Sequence, residues 1–348
     1  MKKSIVVLAA LTLITAFQTV SAQDEAIIPV TAFRGAQATG ITISENGRMF
    51  VNFPRWREGV PFSVVEVLAD GTHRPYPDRV TNEWEVGQNV NRDKFICVQT
   101  VKAHGNNLYV LDTRNPLRKG TITVPTLFVY DLLTDKLIKT YPLATSTKSY
   151  SYVNDLQVDT KKNKIYLTDS GAPGLIVLDI PTGDNFRVLD DHRFTSAERE
   201  YIVVNGKKHE GKSHCGGIAL DPKADILYFH ALTGYTLYGV PTDQLISGNI
   251  DEANVFKMRT PAPDGMILDD KGNLYMGALE NNAIVYITPD KSEIRILSSE
   301  GDISWPDTFT IHNGYLYYTN SRAHEVLDDV SDMEFTVNKI KLPEYTEL

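Results

Sequence analysis

The segment NDLQVDTKKNKIYLTDSG, residues 154–171, contains the pattern from which the fold class is predicted. A short strand with apolar residues is followed by a polar turn rich in Lys and Asn, and then by a second strand that contains a tyrosine. Asn in such a turn supplies the positive φ that a tight hairpin requires. The segment therefore predicts an antiparallel hairpin with polar residues at its ends.

The same pattern recurs along the chain. The other copies are GITISENGRMFVNFPRW (40–56), VQTVKAHGNNLYVLDTRN (98–115), GGIALDPKADILYFHALTG (216–234), DGMILDDKGNLYMGALENN (264–282) and DTFTIHNGYLYYTNSR (307–322). Most copies precede another strand pair, such as GLIVLDIPTGDNFRVL (174–189), so each unit has four strands. Six such units, spaced by roughly 45 to 60 residues, predict an all-β fold, a six-bladed β-propeller of four-stranded antiparallel blades. A β-sandwich would not explain six copies of one pattern.

The N-terminal 22 residues have the features of an export signal. Two lysines precede an apolar run over residues 5–17, and VSA (20–22) follows as a small-x-small motif. The run is too short to span a bilayer. We expect a signal peptide over residues 1–22 that is cleaved after Ala22, a secreted or periplasmic location, and a single propeller domain over residues 23–348. An uncleaved membrane anchor is the alternative, and we expect none in the mature chain.

Charge and cysteine content exclude some classes of function. The formal net charge of −9 argues against nucleic acid as a partner, because binding to phosphate backbones requires a basic face. Two cysteines in so long a chain do not form a disulfide framework. Cys97 and Cys215 either form one disulfide or remain as two buried free thiols.

GKKHEGKS, residues 206–213, matches the phosphate-loop pattern G-x-x-x-x-G-K-[ST]. A phosphate loop must open a helix, whose N-terminal N–H groups hold the phosphates. Here the match leads into HCGGIALDP (214–222), where paired glycines and a proline oppose a helix. We therefore expect no nucleotide binding. The segment predicts a polar loop that reaches the channel rim through His214 and acts as a flap beside the site.

A propeller brings the polar ends of the first strands of all units around one channel. These residues are Thr39, Asn89–Asn91, Asn154, Asp155, His214–Gly216, Asp264 and Asp307. A ring of carboxylate and amide oxygens suits Ca²⁺ or a polar small molecule. The alternative is ordinary turn chemistry, in which Asn and Asp bond to nearby backbone N–H groups.

Two further groups of side chains are candidates for the site. His209 and His214 are candidate metal ligands or general bases, and solvent-facing loop histidines are the alternative. Arg55, Trp56 and Trp305 are candidates for stacking and cation–π contact with an aromatic ligand, and structural packing is the alternative.

The repeats resemble the major royal jelly protein/yellow family, most specifically in PRW (54–56), VNDLQVD (153–159) and WPDTF (305–309). The resemblance implies a secreted six-bladed propeller with a ligand site at the channel. Some insect members of the family are linked to dopachrome conversion or to binding of biogenic amines. The ring of Asn and Asp residues, the nearby tryptophans and the lack of a nucleophile favour a non-catalytic or weakly catalytic binder of a small aromatic or polar molecule. The alternative is an enzyme, and the resemblance implies a dopachrome-type tautomerase with Asp264 or His214 as its acid–base group.

A more distant similarity leads to the gluconolactonase/senescence-marker-protein propellers. It implies a lactonase in which Asn154 and Asp264 hold a divalent cation, Ca²⁺ or Zn²⁺. The other two ligand positions depart from that pattern, because Gln37 and Thr39 stand where a Glu is expected and Gly216 stands where Asn or Asp is usual. The sequence therefore identifies no certain cofactor.

Overall fold

The computed structural model of the protein describes residues 25–299, 301–326 and 329–343. These residues form six four-stranded antiparallel sheets and one separate hairpin. The six-bladed β-propeller predicted from the repeats is confirmed. The expected signal peptide lies outside the described residues. Within the described ranges, no helix has both the length and the apolar character needed to cross a membrane.

The strands follow the order of the repeats. The first described strand is β1 (Ile27–Arg34). The first blade contains β2 (Gly40–Ile43), β3 (Met49–Asn52), β4 (Val64–Val67) and β5 (His73–Pro75). The second contains β6 (Val98–His104), β7 (Asn107–Asp112), β8 (Thr126–Asp131) and β9 (Lys136–Pro142). The third contains β10 (Val153–Asp159), β11 (Lys164–Asp169), β12 (Gly174–Asp179) and β13 (Asn185–Val188).

A separate hairpin, β14 (Tyr201–Val204) and β15 (Lys207–Glu210), lies between the third and fourth blades. The fourth blade contains β16 (Cys215–Asp221), β17 (Ile226–Ala231), β18 (Thr236–Pro241) and β19 (Phe256–Arg259). The fifth contains β20 (Pro263–Leu268), β21 (Leu274–Ala278), β22 (Ala283–Ile287) and β23 (Ile294–Ser298). The sixth contains β24 (Pro306–His312), β25 (Tyr315–Asn320), β26 (Glu334–Lys341) and the N-terminal β1.

Helical structure in the described residues is short. The α-helices are α1 (Arg79–Asn82) and α2 (Thr242–Ser247), and the 3₁₀ turns span Pro116–Arg118, Glu252–Asn254 and Leu279–Asn281.

The hydrophobic core lies between the faces of neighbouring blades. The middle strands β12 and β21 are buried along almost their whole length, whereas the outer strand β9 is mostly exposed. This explains why the middle strands are continuous apolar runs, because both of their faces pack against other blades. The tyrosines that recur in the second strands are buried in this core, as the repeats predict, and they are Tyr109, Tyr166, Tyr228, Tyr275 and Tyr317.

The ring closes through the two ends of the described chain. Strand β1 pairs antiparallel with β26, from Ile27 opposite Ile340 to Arg34 opposite Glu334. The sixth blade is therefore built from both ends of the propeller, and this closure removes the free edges that an open row of blades would have.

The first strands of the blades, β2, β6, β10, β16, β20 and β24, pack side by side in a closed ring around the channel. Their approach is close. A Cβ atom on Gly265 would lie 2.4 Å from the backbone oxygen of Asp307. Only glycine fits there, and its absence of a side chain brings the start of β20 against the start of β24. Both cysteines are buried free thiols, so the disulfide alternative is wrong.

We predict that the closure depends on the buried side of β1. Phe33 is 4% exposed and meets Phe53 with 4.9 Å between ring centroids. Phe33→Ala should lower the free energy of unfolding in urea by about 3–5 kcal/mol, because it leaves a cavity in the core. Ile28→Ala on the same strand, where the side chain is 39% exposed, should cost about 1 kcal/mol or less. Equal losses would contradict this account of the closure.

Candidate functional site

A cavity of about 380 Å³ lies at one end of the channel. Its lining combines rings with hydrogen-bonding groups. The aromatic side chains are Trp56, Tyr150, Tyr152, His209 and Trp305, and the principal polar ones are Gln99, Asn154, Arg118, Asp264 and Asp307. This combination suits a small molecule with an aromatic ring and a few polar substituents.

Six of the residues predicted from the sequence are brought together in this cavity. They are Trp56, Asn154, His209, Asp264, Trp305 and Asp307. His209 belongs to the separate hairpin. The other five come from four different blades and converge because each precedes, begins or follows a strand near the same end of the ring.

Asp264 and Asp307 form an acidic pair at the starts of β20 and β24. The indole Nε1 of Trp305 donates to Asp264 Oδ2 at 2.7 Å. Burial raises the pKa of Asp264 to about 7, the Trp305 hydrogen bond opposes the shift, and the charge of Asp155 adds to it. Burial and the charge of Asp264 also raise the pKa of Asp307 well above its usual range. The pair therefore holds a proton near neutral pH and is able to give or take one.

Trp305 has an unusual backbone conformation. Its φ is 62°, in the left-handed region that bulky residues rarely adopt. The ring lies between two histidines: His209 meets it edge-on at 4.7 Å and His324 stacks on it at 5.8 Å. These contacts hold the indole against Asp264, and strain of this kind is concentrated at functional sites.

A chain of hydrogen bonds joins Trp56 to Asn154. Trp56 Nε1 donates to the Tyr152 hydroxyl at 2.5 Å, and that hydroxyl donates to Gln99 Oε1 at 2.6 Å. Gln99 Nε2 then donates to Asn154 Oδ1 at 2.8 Å. The arrangement fixes four cavity side chains relative to one another.

The Trp56 ring also carries a cation. The Arg118 guanidinium lies 3.7 Å from the ring centroid, within the range of a cation–π contact. Both Leu117 and Arg118 have left-handed φ values, 58° and 55°, in the turn that presents this side chain. The stacked guanidinium places a positive charge at the cavity wall, and this charge opposes the rise in the pKa of Asp264 and of Asp307.

The hairpin β14–β15 covers one side of the cavity. Residues 209–213 line it, and Ile202 and Val204 anchor the hairpin in a cluster with Leu232 and Trp305. The phosphate-loop match therefore forms a strand and its flanking turns, and it does not open a helix. The predicted polar flap is a hairpin, and it reaches the cavity through residues 209–213.

Arg55, His214 and Asp155 were predicted to belong to the site but lie away from this cavity lining. Arg55 is 2% exposed and donates to the backbone oxygens of Asn82 and Phe95, so its guanidinium is enclosed by the first blade and the loop that follows it. His214 Nδ1 accepts from the backbone N–H of Ala197 at 2.9 Å, which holds its ring outside the cavity.

Asp155 is the third of these residues. Its Oδ1 accepts from Leu156 N at 2.7 Å and from Thr100 Oγ1 at 3.2 Å. It contributes to the site through its charge, which raises the pKa of both Asp264 and Asp307.

Sequence reasoning missed Gln99, Tyr152 and Arg118. It also placed Asn89–Asn91 at the channel, whereas these residues line a separate surface pocket beside Trp84. Strand β6 begins at Val98, so Gln99 holds the place in its blade that Asn154 holds in the next. Alignment of VQTV (98–101) with VNDL (153–156) carries this signal. Tyr152 and Arg118 lie outside the repeat core, and no periodic pattern identifies them.

The donor set does not fit a divalent cation. Asn154 Oδ1 already accepts from Gln99, and Asp264 Oδ2 accepts from Trp305. At Gly216, a Cβ would lie 2.7 Å from Asn154 Nδ2, so the Asn154 amide fills the space where a further ligand would stand. Across residues 25–299, 301–326 and 329–343, no cluster of three or more His, Cys, Asp or Glu side chains is placed to hold a metal ion.

The raised pKa of Asp264 predicts a dependence of stability on pH. The folded-state value of about 7 lies above the ordinary 3.8, so the folded chain binds the proton more tightly. The contribution of this group to stability therefore falls as pH rises from about 4 to about 7 and is constant above that. Relative to wild type, Asp264→Asn should gain unfolding free energy across this window, measured by urea titration at each pH. A difference that does not change with pH would contradict the assignment.

Comparison with known proteins agrees with this architecture. Solved structures with similar folds include a streptogramin B lyase, with a TM-score of 0.53 and 13% identity over 91% of this chain and 97% of that one. A luciferin-regenerating enzyme has a TM-score of 0.55 and 11% identity over 91% of this chain and 95% of that one. At such low identity these likenesses establish the fold alone.

Sequence relatives are more specific. Major royal jelly protein 3 of Apis mellifera is 26% identical over 62% of this chain and 41% of its own length. Dopaminechrome tautomerase of Drosophila melanogaster is 24% identical over 60% of this chain and 49% of its own length. Protein yellow of Drosophila yakuba is 28% identical over 60% of this chain and 43% of its own length. The matches span less than half the length of these relatives. The sequence model of the family described as "Major royal jelly protein" matches residues 97–347. The chain therefore belongs to the major royal jelly protein family.

Proposed function

We propose that the protein binds a small molecule with an aromatic ring and polar substituents in the channel-end cavity. The single observation that carries this proposal is the cavity lining, in which Trp56 and Trp305 stand beside Asn154 and Asp264 in about 380 Å³. The indole rings of Trp56 and Trp305 provide a large apolar area that contacts the ligand. The few polar side chains set the orientation of the ligand through hydrogen bonds.

The location of the site supports ligand exchange with the surroundings. Tyr150 lines the cavity and is 54% exposed, so the cavity is open on that side. The export pattern at the N-terminus supports action outside the cytoplasm, where the ligand would be extracellular or periplasmic.

We predict that binding depends on the aromatic wall. Trp56→Ala should weaken the binding of indole compounds at least about tenfold, because it removes a stacking surface and the Arg118 contact. Isothermal titration with a panel of indoles, catechols and aromatic acids measures the dissociation constants. Phe186→Ala, at a side chain that is 41% exposed and outside the cavity lining, is the matched control. An unchanged affinity in Trp56→Ala, or no binding of any compound to wild type, would contradict the proposal.

A second candidate function is tautomerisation of an aminochrome. The acidic pair favours it, because one carboxylate and one carboxylic acid side by side are able to move a proton between two atoms of a bound ligand. Asp264 would accept a proton from a ring carbon while Asp307 donates its own proton to a quinone oxygen, and the resulting enol keeps every atom of the substrate. The relative named dopaminechrome tautomerase supports this candidate.

We predict the outcome of removing the proton acceptor. Asp264→Asn should slow the conversion of dopaminechrome by about 10²–10⁴-fold, the range typical of general acid–base catalysis. The loss of the visible absorbance of the aminochrome measures the rate, and Asp270→Asn, an exposed residue on the same blade, is the control. Equal rates in wild type and Asp264→Asn would remove Asp264 from the mechanism, and a wild-type rate equal to the uncatalysed one would leave binding as the function.

A further inference from the structure

The hydrogen-bond chain from Trp56 to Asn154 has a direction. An indole N–H only donates, so Trp56 Nε1 must use the Tyr152 hydroxyl as its acceptor. The hydroxyl proton is then directed to Gln99, which turns the amide oxygen of Gln99 toward Tyr152. The amide nitrogen of Gln99 is left to face Asn154, where it donates to Oδ1.

This direction decides which end of the Asn154 amide faces the ligand. Its oxygen is occupied by Gln99, and its nitrogen lies beside Gly216, at 2.7 Å from the place of a Cβ atom. Within the part of the chain that the structure describes, Nδ2 donates to no protein acceptor, and Asn154 lines the cavity. Gly216 has no side chain and so leaves room for this nitrogen. Because Asn154 lines the cavity and Nδ2 has no acceptor among the described residues, its N–H bonds are available to a bound molecule.

We propose that Trp56, Tyr152 and Gln99 are positioning residues that fix Asn154 as a hydrogen-bond donor, so that the site selects ligands with a carbonyl or phenolate oxygen at this point. The inference rests on the proposed function, because it describes how the same cavity chooses among aromatic molecules. A ligand with an amino group there would meet two N–H bonds and lose a hydrogen bond.

The arrangement is reinforced from both sides. The Cys97 thiol lies against the Tyr152 hydroxyl, and burial raises the pKa of Tyr152 well above its usual range, so this hydroxyl keeps its proton. Gln99 is 8% exposed, so water has little access to its amide. In this partly buried chain of hydrogen bonds, turning one amide round would set donor against donor or acceptor against acceptor and lose a hydrogen bond, which is costly.

The test uses two neutral probes that differ in one substituent. Indole-5-carbaldehyde offers an acceptor oxygen, and 5-aminoindole offers an N–H donor; both are uncharged at about pH 8. The measured quantity is the ratio of their dissociation constants, determined by titration calorimetry for each variant. A substitution that weakens the binding of both probes equally leaves this ratio unchanged, so the ratio reports only the preference for one substituent over the other.

Wild type should bind the aldehyde about tenfold more tightly than the amine, the effect of one well-placed hydrogen bond. Tyr152→Phe removes the proton that orients Gln99, so the ratio should approach one. Gln99→Glu keeps the shape but replaces the donor with an acceptor, so Asn154 should turn and present Oδ1, and the preference should reverse toward the amine. Tyr201→Phe removes a hydroxyl from a side chain that is 37% exposed and outside the cavity lining, so it should keep the wild-type ratio.

The outcomes separate the inference from the proposed function. If both probes bind and the ratio is the same in wild type, Tyr152→Phe and Gln99→Glu, the positioning role is wrong while binding at the cavity stands. If Tyr201→Phe changes the ratio as much as Tyr152→Phe, the effect does not come from the hydrogen bonds between Trp56 and Asn154, and the inference is again wrong. If neither probe binds to wild type, the proposed function and the inference both fail.

Discussion

The pairing of β1 with β26 determines how the six blades are positioned relative to one another. It unites the two ends of the described chain in one sheet and closes six blades into a ring. In a closed ring, the first strands of all blades must share one channel, and residues that are far apart in sequence meet at its end. Asn154, Asp264 and Asp307 are neighbours for this reason, and close contacts at glycines between adjacent first strands hold them at short range.

Within that frame, the site is organised by two donor-only indoles. Trp305 donates to Asp264, and Trp56 donates to Tyr152 at the head of the chain that leads to Asn154. Trp305 thereby occupies Oδ2 of Asp264 and leaves Oδ1 for the ligand. The hydrogen bonds that begin at Trp56 occupy Oδ1 of Asn154 and leave Nδ2 for the ligand. The same two rings form the aromatic walls of the cavity. The two tryptophans thus provide the contact area for the ring of a ligand, and they also determine whether the neighbouring polar groups donate or accept hydrogen bonds. Recognition of an aromatic ligand is therefore linked to recognition of its substituents.

The sequence predicted the architecture well because the repeat is a direct consequence of packing. Middle strands buried on both faces must be apolar, and hairpin turns must contain Gly or Asn, so each blade carries a readable pattern. The convergence of Asn154, Asp264 and Asp307 followed from the same logic. The positions of Arg55 and His214 could not be predicted in this way. The direction of a side chain beyond the end of a strand depends on the loops, and the loops do not follow the sequence repeat. Arg118 and Tyr152 were missed for the same reason, whereas Gln99 was available from alignment of the repeats and was overlooked.

A crystal structure of the protein with indole-5-carbaldehyde would show directly whether this cavity binds an aromatic ligand through a fixed donor at Asn154. We expect the indole ring between Trp56 and Trp305, with the aldehyde oxygen within hydrogen-bond distance of Asn154 Nδ2 and Asn154 Oδ1 still bonded to Gln99. A ligand bound outside the cavity, or an aldehyde group turned away from Asn154, would contradict this expectation.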